Sequence, residues 1–155
     1  MTNKPLIAAI IALVVAIGAA MGAKLWLRPN PANTLSVALN TGCDLHAGPC
    51  ASVIPGGGRI ELSIEPRPIP LLHPLRIVVR VEGLDARKVE IDFTGVDMNM
   101  GYNRPELKPE NGNRFTGQST LPVCITGRME WQAAVLVTTD KTRVVAPFRF
   151  VTTYK

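Results

Sequence analysis

The sequence predicts an all-β domain, a β-sandwich of about seven short strands, preceded by one N-terminal transmembrane helix. Three observations carry that prediction. Beyond residue 34, apolar residues alternate with polar ones at the period of a half-buried strand. Turn-forming clusters rich in glycine, proline and asparagine separate the alternating stretches. The chain begins instead with an unbroken apolar block.

That block, LIAAIIALVVAIGAAMGA, runs from Leu6 to Ala23 without a charge. As a helix it would rise about 27 Å, close to the ~30 Å hydrocarbon core of a bilayer. Lys24 can snorkel, Leu25, Trp26 and Leu27 extend the stretch with an indole at the interface, and Arg28 closes it. A cleaved signal peptide is the alternative, with Lys4 as its basic start and Gly18-Ala19-Ala20 near the cleavage site. Signal peptides carry an apolar region of only ~7 to 15 residues, which favours a retained anchor. The expected organisation is therefore an anchor or uncleaved signal over residues 1–28, a stiff linker over 29–34 (PNPANT), and a β domain over 35–155.

Within the domain, Ile60, Leu62 and Ile64 alternate with Arg59, Glu61 and Ser63. The same pattern recurs in LRIVVRVE from Leu75 and in KVEIDF from Lys88. Further strands are expected around 35–39, 114–121, 130–138 and 143–151. The turns are PGGG at Pro55, Glu82-Gly83, ENGN at Glu110 and Asp140-Lys141. EPRPIPLLHP, from Glu65 to Pro74, has too many prolines for a central strand and is expected to bridge the two sheets.

Of the 17 basic residues, Lys4, Lys24 and Arg28 precede residue 29, so 14 face 12 acidic ones in the rest of the chain. A net charge near +2, no run of like charge and few aromatics argue against nucleic-acid binding. There is no nucleophile elbow, phosphate-cradling loop or zinc-type cysteine–histidine cluster, so the chain does not read as an enzyme.

Three cysteines remain, Cys43, Cys50 and Cys124, an odd count that leaves one thiol over if two pair. A Cys43–Cys50 bond would close an eight-residue loop around DLHAGP, worth ~2.5 kcal/mol on the chain-entropy estimate. Cys124 paired to either of the others would staple the sandwich instead. Disulfides belong to oxidising compartments, and this, with the β-rich domain, places the domain outside the cytoplasm. The positive-inside rule does not decide orientation, because Lys4 on one side faces Lys24 and Arg28 on the other.

Met98-Asn99-Met100 is the second chemical feature. Residues two apart on an extended chain point the same way, and thioethers are soft ligands that select Cu(I). His46, His73 and Cys124 are the candidates to complete such a site; packing of the methionines into core gaps is the competing account. Met129, beside Trp131, reads as core. In VDMNMGYNRP, Met100, Tyr102, Asn103 and Arg104 also form a candidate partner-binding loop.

From about residue 70 to 150 the chain resembles the FixH-like and YtkA-like family of membrane-tethered extracytoplasmic proteins. The elements that carry the resemblance are PLRIVVRVEG, MNMG, NRFTGQSTLP and MEWQAAVLV, behind an N-terminal span. It implies an immunoglobulin-like sandwich and an accessory role in copper handling or assembly of a respiratory haem-copper oxidase. On it, Met98 and Met100 are candidate copper ligands and Trp131 a core residue; CDLHAGPC and LPVC fall outside its pattern. The expected setting is a bacterial inner membrane with the domain in the periplasm, and an oxidase subunit or copper chaperone as partner. The alternative is a metal-free interaction module of a membrane complex.

Overall fold

The computed structural model describes residues 4–26, 33–123 and 127–154. The chain divides into two compact units, Met1–Pro31 and Ala32–Lys155. In the first, helix α1 runs Lys4–Trp26 and carries no acidic residue in its first turn. Its apolar side chains from Ile7 to Ala23 are exposed on every face. Among the described residues, no helix is long and apolar enough to cross a membrane, in contrast to the span expected over residues 1–28.

The second unit contains nine strands among the described residues: β1 (Thr34–Ser36), β2 (Cys50–Val53), β3 (Arg59–Glu65), β4 (Leu75–Glu82), β5 (Lys88–Gly95), β6 (Glu106–Pro109), β7 (Arg114–Ser119), β8 (Arg128–Thr138) and β9 (Arg143–Thr153). They form one sheet in the order β1-β9-β8-β5-β6-β7-β4-β3-β2. Every pairing is antiparallel except that of β1 with β9. The expected strands around 60, 75, 88, 114, 130 and 143 all form; all but the 114 strand, which buries only Phe115, carry enough alternating apolar residues to bury one face.

The count of seven is corrected to nine. β2 has only four residues between Pro49 and a glycine turn, and β6 (ELKP) buries only Leu107, so neither shows a period in the sequence. The first strand is also shorter than the expected 35–39: β1 begins at Thr34, inside the stretch read as linker, and ends at Ser36. β6 pairs with β5 through Glu106 and Leu107, then with β7 through Lys108 and Pro109. The sheet changes partner there and curls around one core.

That core takes the inward residues of every long strand. Ile60, Leu62 and Ile64 of β3 meet Ile77, Val79, Ile91, Phe93, Val135 and Phe148 there. Trp131 lies at its centre with 0% exposure, and its indole Nε1 donates to Thr152 Oγ1 at 2.9 Å. The buried N–H thus has a partner, as burial demands.

The Pro-rich segment does not bridge two sheets. It joins β3 to β4, adjacent antiparallel strands whose last pair is Glu65 with Arg76. Its own Ile69 is buried, and its Leu72 N–H donates to Leu121 O at 2.9 Å. At the opposite end of the sheet, Gly58 and Gly83 back onto each other with φ of +110° and +76°. A Cβ on Gly83 would stand 2.7 Å from Gly58 Cα, so close packing and backbone conformation both require glycine there.

Candidate metal centre

Strand directions bring five segments to one end of the sheet: 37–49 before β2, 66–74 after β3, 96–105 after β5, 120–123 after β7, and Tyr154 after β9. Among the described residues, every candidate lies in one of these segments except Cys50, which opens β2 beside them. The chain enters the domain at the other end, where Thr34 pairs with Arg143.

Cys43 and Cys50 are joined in a disulfide, with Cα atoms 5.7 Å apart. Of the pairings open to the sequence, the local loop is the one formed. Cys50 opens β2 and is buried, so the bond fastens the 37–49 segment to the sheet edge. Cys124 falls at 124–126, outside the described residues.

His46 sits in that fastened loop, with both ring nitrogens engaged. Nδ1 accepts from the Ile69 N–H at 3.1 Å, and Nε2 donates to Val151 O at 2.7 Å. These partners require the neutral Nε2–H tautomer. The ring meets Phe150 edge-on, with centroids 6.1 Å apart. His46 therefore ties the Pro-rich segment to β9, and its one lone pair is already used. His73 is exposed, with Nδ1 3.1 Å from Leu71 O.

The methionine loop is held from both sides. Val96 N–H donates to Glu130 O and Phe93 N–H to Asn103 O, each at 2.9 Å. Asn99 Oδ1 accepts from the Gly101 N–H, and Gly101 has φ of +81°, which closes a tight turn between the two methionines and the tyrosine. Residues 94–101 line a cleft of about 370 Å³. Met98 is 38% exposed, whereas Met100 is half-buried and packs against the core.

Gly95 lies at the centre of this arrangement. A Cβ there would collide with Met98 O and stand 2.7 Å from Met129 Cε and 3.2 Å from Met100 Cγ. Met129, buried at the start of β8, is thus a neighbour of Met100. Its sequence context reads only as core; the Gly95–Trp131 register that brings β8 alongside the loop has no local signal.

The candidate partner residues divide. Asn103 Nδ2 donates to Thr120 O at 3.0 Å and its Oδ1 accepts from Ser119 Oγ at 2.8 Å, so this side chain knits the loop to the end of β7. Arg104 pairs with Asp92 at 2.8 Å. The hydrogen bond to that carboxylate raises the guanidinium pKa further above its ordinary value, despite partial burial. Arg104 also lies 5.5 Å from the ring centroid of Tyr102, which is 81% exposed. Among the described residues, no group of three or more histidine, cysteine, aspartate and glutamate side chains could hold a metal ion. Comparison of the chain with protein-family models, with curated proteins and with solved structures finds no match.

Proposed function

We propose that this protein is a membrane-anchored extracytoplasmic accessory protein that binds Cu(I) through thioethers and serves assembly of a respiratory haem-copper oxidase. The observation that carries the copper reading is that Met98 and Met100 line one cleft at the loop-bearing end of the domain. Thioethers are soft and uncharged, so they favour Cu(I) over harder or more highly charged ions. His73 and Cys124 remain candidates for further ligands. The oxidase and periplasmic setting rest on the resemblance to the FixH-like and YtkA-like family.

Two further observations support the setting. The Cys43–Cys50 disulfide fits an oxidising compartment. From Ile7 to Ala23 helix α1 is apolar on every face, and such a surface is stable in lipid or a protein interior, not in water. We read the curled sheet as an immunoglobulin-like sandwich, with β6 as the strand that passes between its layers.

The test is a Cu(I) titration of the full-length chain in mild detergent against a competing chelator. Wild-type protein is expected to retain one Cu(I), and Met98→Leu with Met100→Leu to lose it; equal affinity in both defeats the assignment. An alkaline phosphatase fusion at the C-terminus is expected to be active, and an inactive fusion refutes the external placement. The second reading, a metal-free interaction module, is favoured by Leu72, Tyr102 and Tyr154, all exposed at the same end of the domain. Recovery of an oxidase subunit with the chain from copper-starved membranes is the result that reading expects.

A further inference from the structure

We propose that Met129 is the third ligand of the Cu(I) site, so that Met98, Met100 and Met129 form a trigonal thioether centre built over Gly95. This deepens the copper reading above and rests on it. Gly95 leaves a space that two methionine side chains fill. Met129 Cε and Met100 Cγ reach to within 2.7 and 3.2 Å of the point where a Cβ would stand, and the Met98 carbonyl folds over the same point. Each sulfur is one bond from the carbon named, so the thioethers of Met100 and Met129 both border the point where a Gly95 Cβ would stand.

The three methionines come from two separate parts of the chain. Met98 and Met100 come from the β5–β6 connection, and Met129 comes from β8, which pairs with β5 up to Gly95 and Trp131. The Val96 N–H bond to Glu130 O fixes the loop beside Met129. Gly95 has no positive φ that would require glycine for conformation; what it supplies is room. A core that needed only filling would be served by a side chain at residue 95, whereas here the space is given to two flexible, polarisable thioethers.

The gradient of exposure suits capture and retention. Met98 is exposed, Met100 half-buried and Met129 4% exposed, so an ion arriving at the first sulfur would be drawn toward a dry one. Asp97, in the cleft wall, adds a negative charge near an otherwise neutral ligand set. Binding is simple association: three sulfur lone pairs are donated to Cu(I), no bond is broken, no electron is transferred and no proton is released. Affinity should therefore be independent of pH between about 5 and 8, unlike that of a histidine or cysteine site, whose ligands must be deprotonated.

The experiment compares wild type, Met129→Leu, and the Met98→Leu, Met100→Leu double variant, each as the full-length chain loaded with Cu(I). X-ray absorption of the wild type is expected to show three sulfur neighbours, a readout that does not depend on any variant folding. Leucine nearly conserves methionine's volume, so Met129→Leu should keep its cooperative thermal transition while losing at least about 100-fold in Cu(I) affinity. Two sulfur neighbours in the wild type, or Met129→Leu binding as wild type while the double variant does not, overturns Met129 and leaves the copper reading standing. Absence of Cu(I) binding by the wild type, or equal binding by all three proteins, removes both. An affinity that falls as the solution is acidified through about pH 6 replaces Met129 with a titrating ligand.

Discussion

Replacement of His46 by leucine separates a structural role from a metal-binding one. The imidazole accepts from Ile69 N–H and donates to Val151 O, holding the Pro-rich connection against the last strand. Leucine fills similar space and offers neither bond. Two backbone groups then lose partners, and each unsatisfied buried group costs about 1–3 kcal/mol. Ile69 is buried, but His46 itself is only half-buried, so water can reach one of the two groups. A loss of about 2 kcal/mol is expected, which for a domain of this size lowers Tm by roughly 8 °C. Urea unfolding followed by circular dichroism, at an unchanged m-value, measures it. Cu(I) affinity should stay as in the wild type. A stability change below about 0.5 kcal/mol, the range of ordinary surface substitutions, would refute the staple. A fall in Cu(I) affinity with intact stability would return His46 to the ligand set.

Three further outcomes follow from the geometry. Gly95→Ala should cost about 1–3 kcal/mol through overpacking, because the new methyl meets the Met98 backbone and not merely a mobile side-chain end; thermal unfolding close to wild type would show that the loop yields freely. Replacing Cys43 and Cys50 with alanine should lower stability by up to ~2.5 kcal/mol, the loop-closure value for eight residues, as read by denaturant midpoint, with no change greater than this expected. The Asp140 carboxyl is held below its ordinary range by the hydrogen bond from Arg87, so its contribution is present above the unfolded-state pKa and fades as pH falls through the lower folded value. Because both groups are fully exposed, Asp140→Asn should leave stability near neutral pH almost unchanged, which a denaturant series at two pH values checks.

How far the candidate site could be read in advance depended on distance along the chain. Met98 and Met100 stand two apart, and Cys43 and Cys50 seven, so their proximity is a local property. His46 and Ile69, or Met129 and Met100, meet only through strand pairing, and nothing near any of them in the sequence marks the partner. His46 therefore reads as a spare ligand in CDLHAGPC until Ile69 and Val151 are placed against it. Asn103 likewise reads as a contact residue in MNMGYNRP until Thr120 and Ser119 take up its amide.

Local preference along the chain was enough for the β class, the long alternating strands and the position of most turns, because period-two burial and glycine conformation are written residue by residue. It also marked the thioether pair and a short cysteine loop. The strand order, the two short strands that bury too little to show a pattern, and the partner change at β6 came from the folded sheet alone. So did the meeting of β8 with the methionine loop over Gly95. Each of these depends on contacts between residues far apart in the chain, formed only when the sheet curls around its core, and the residues beside them carry no record of it.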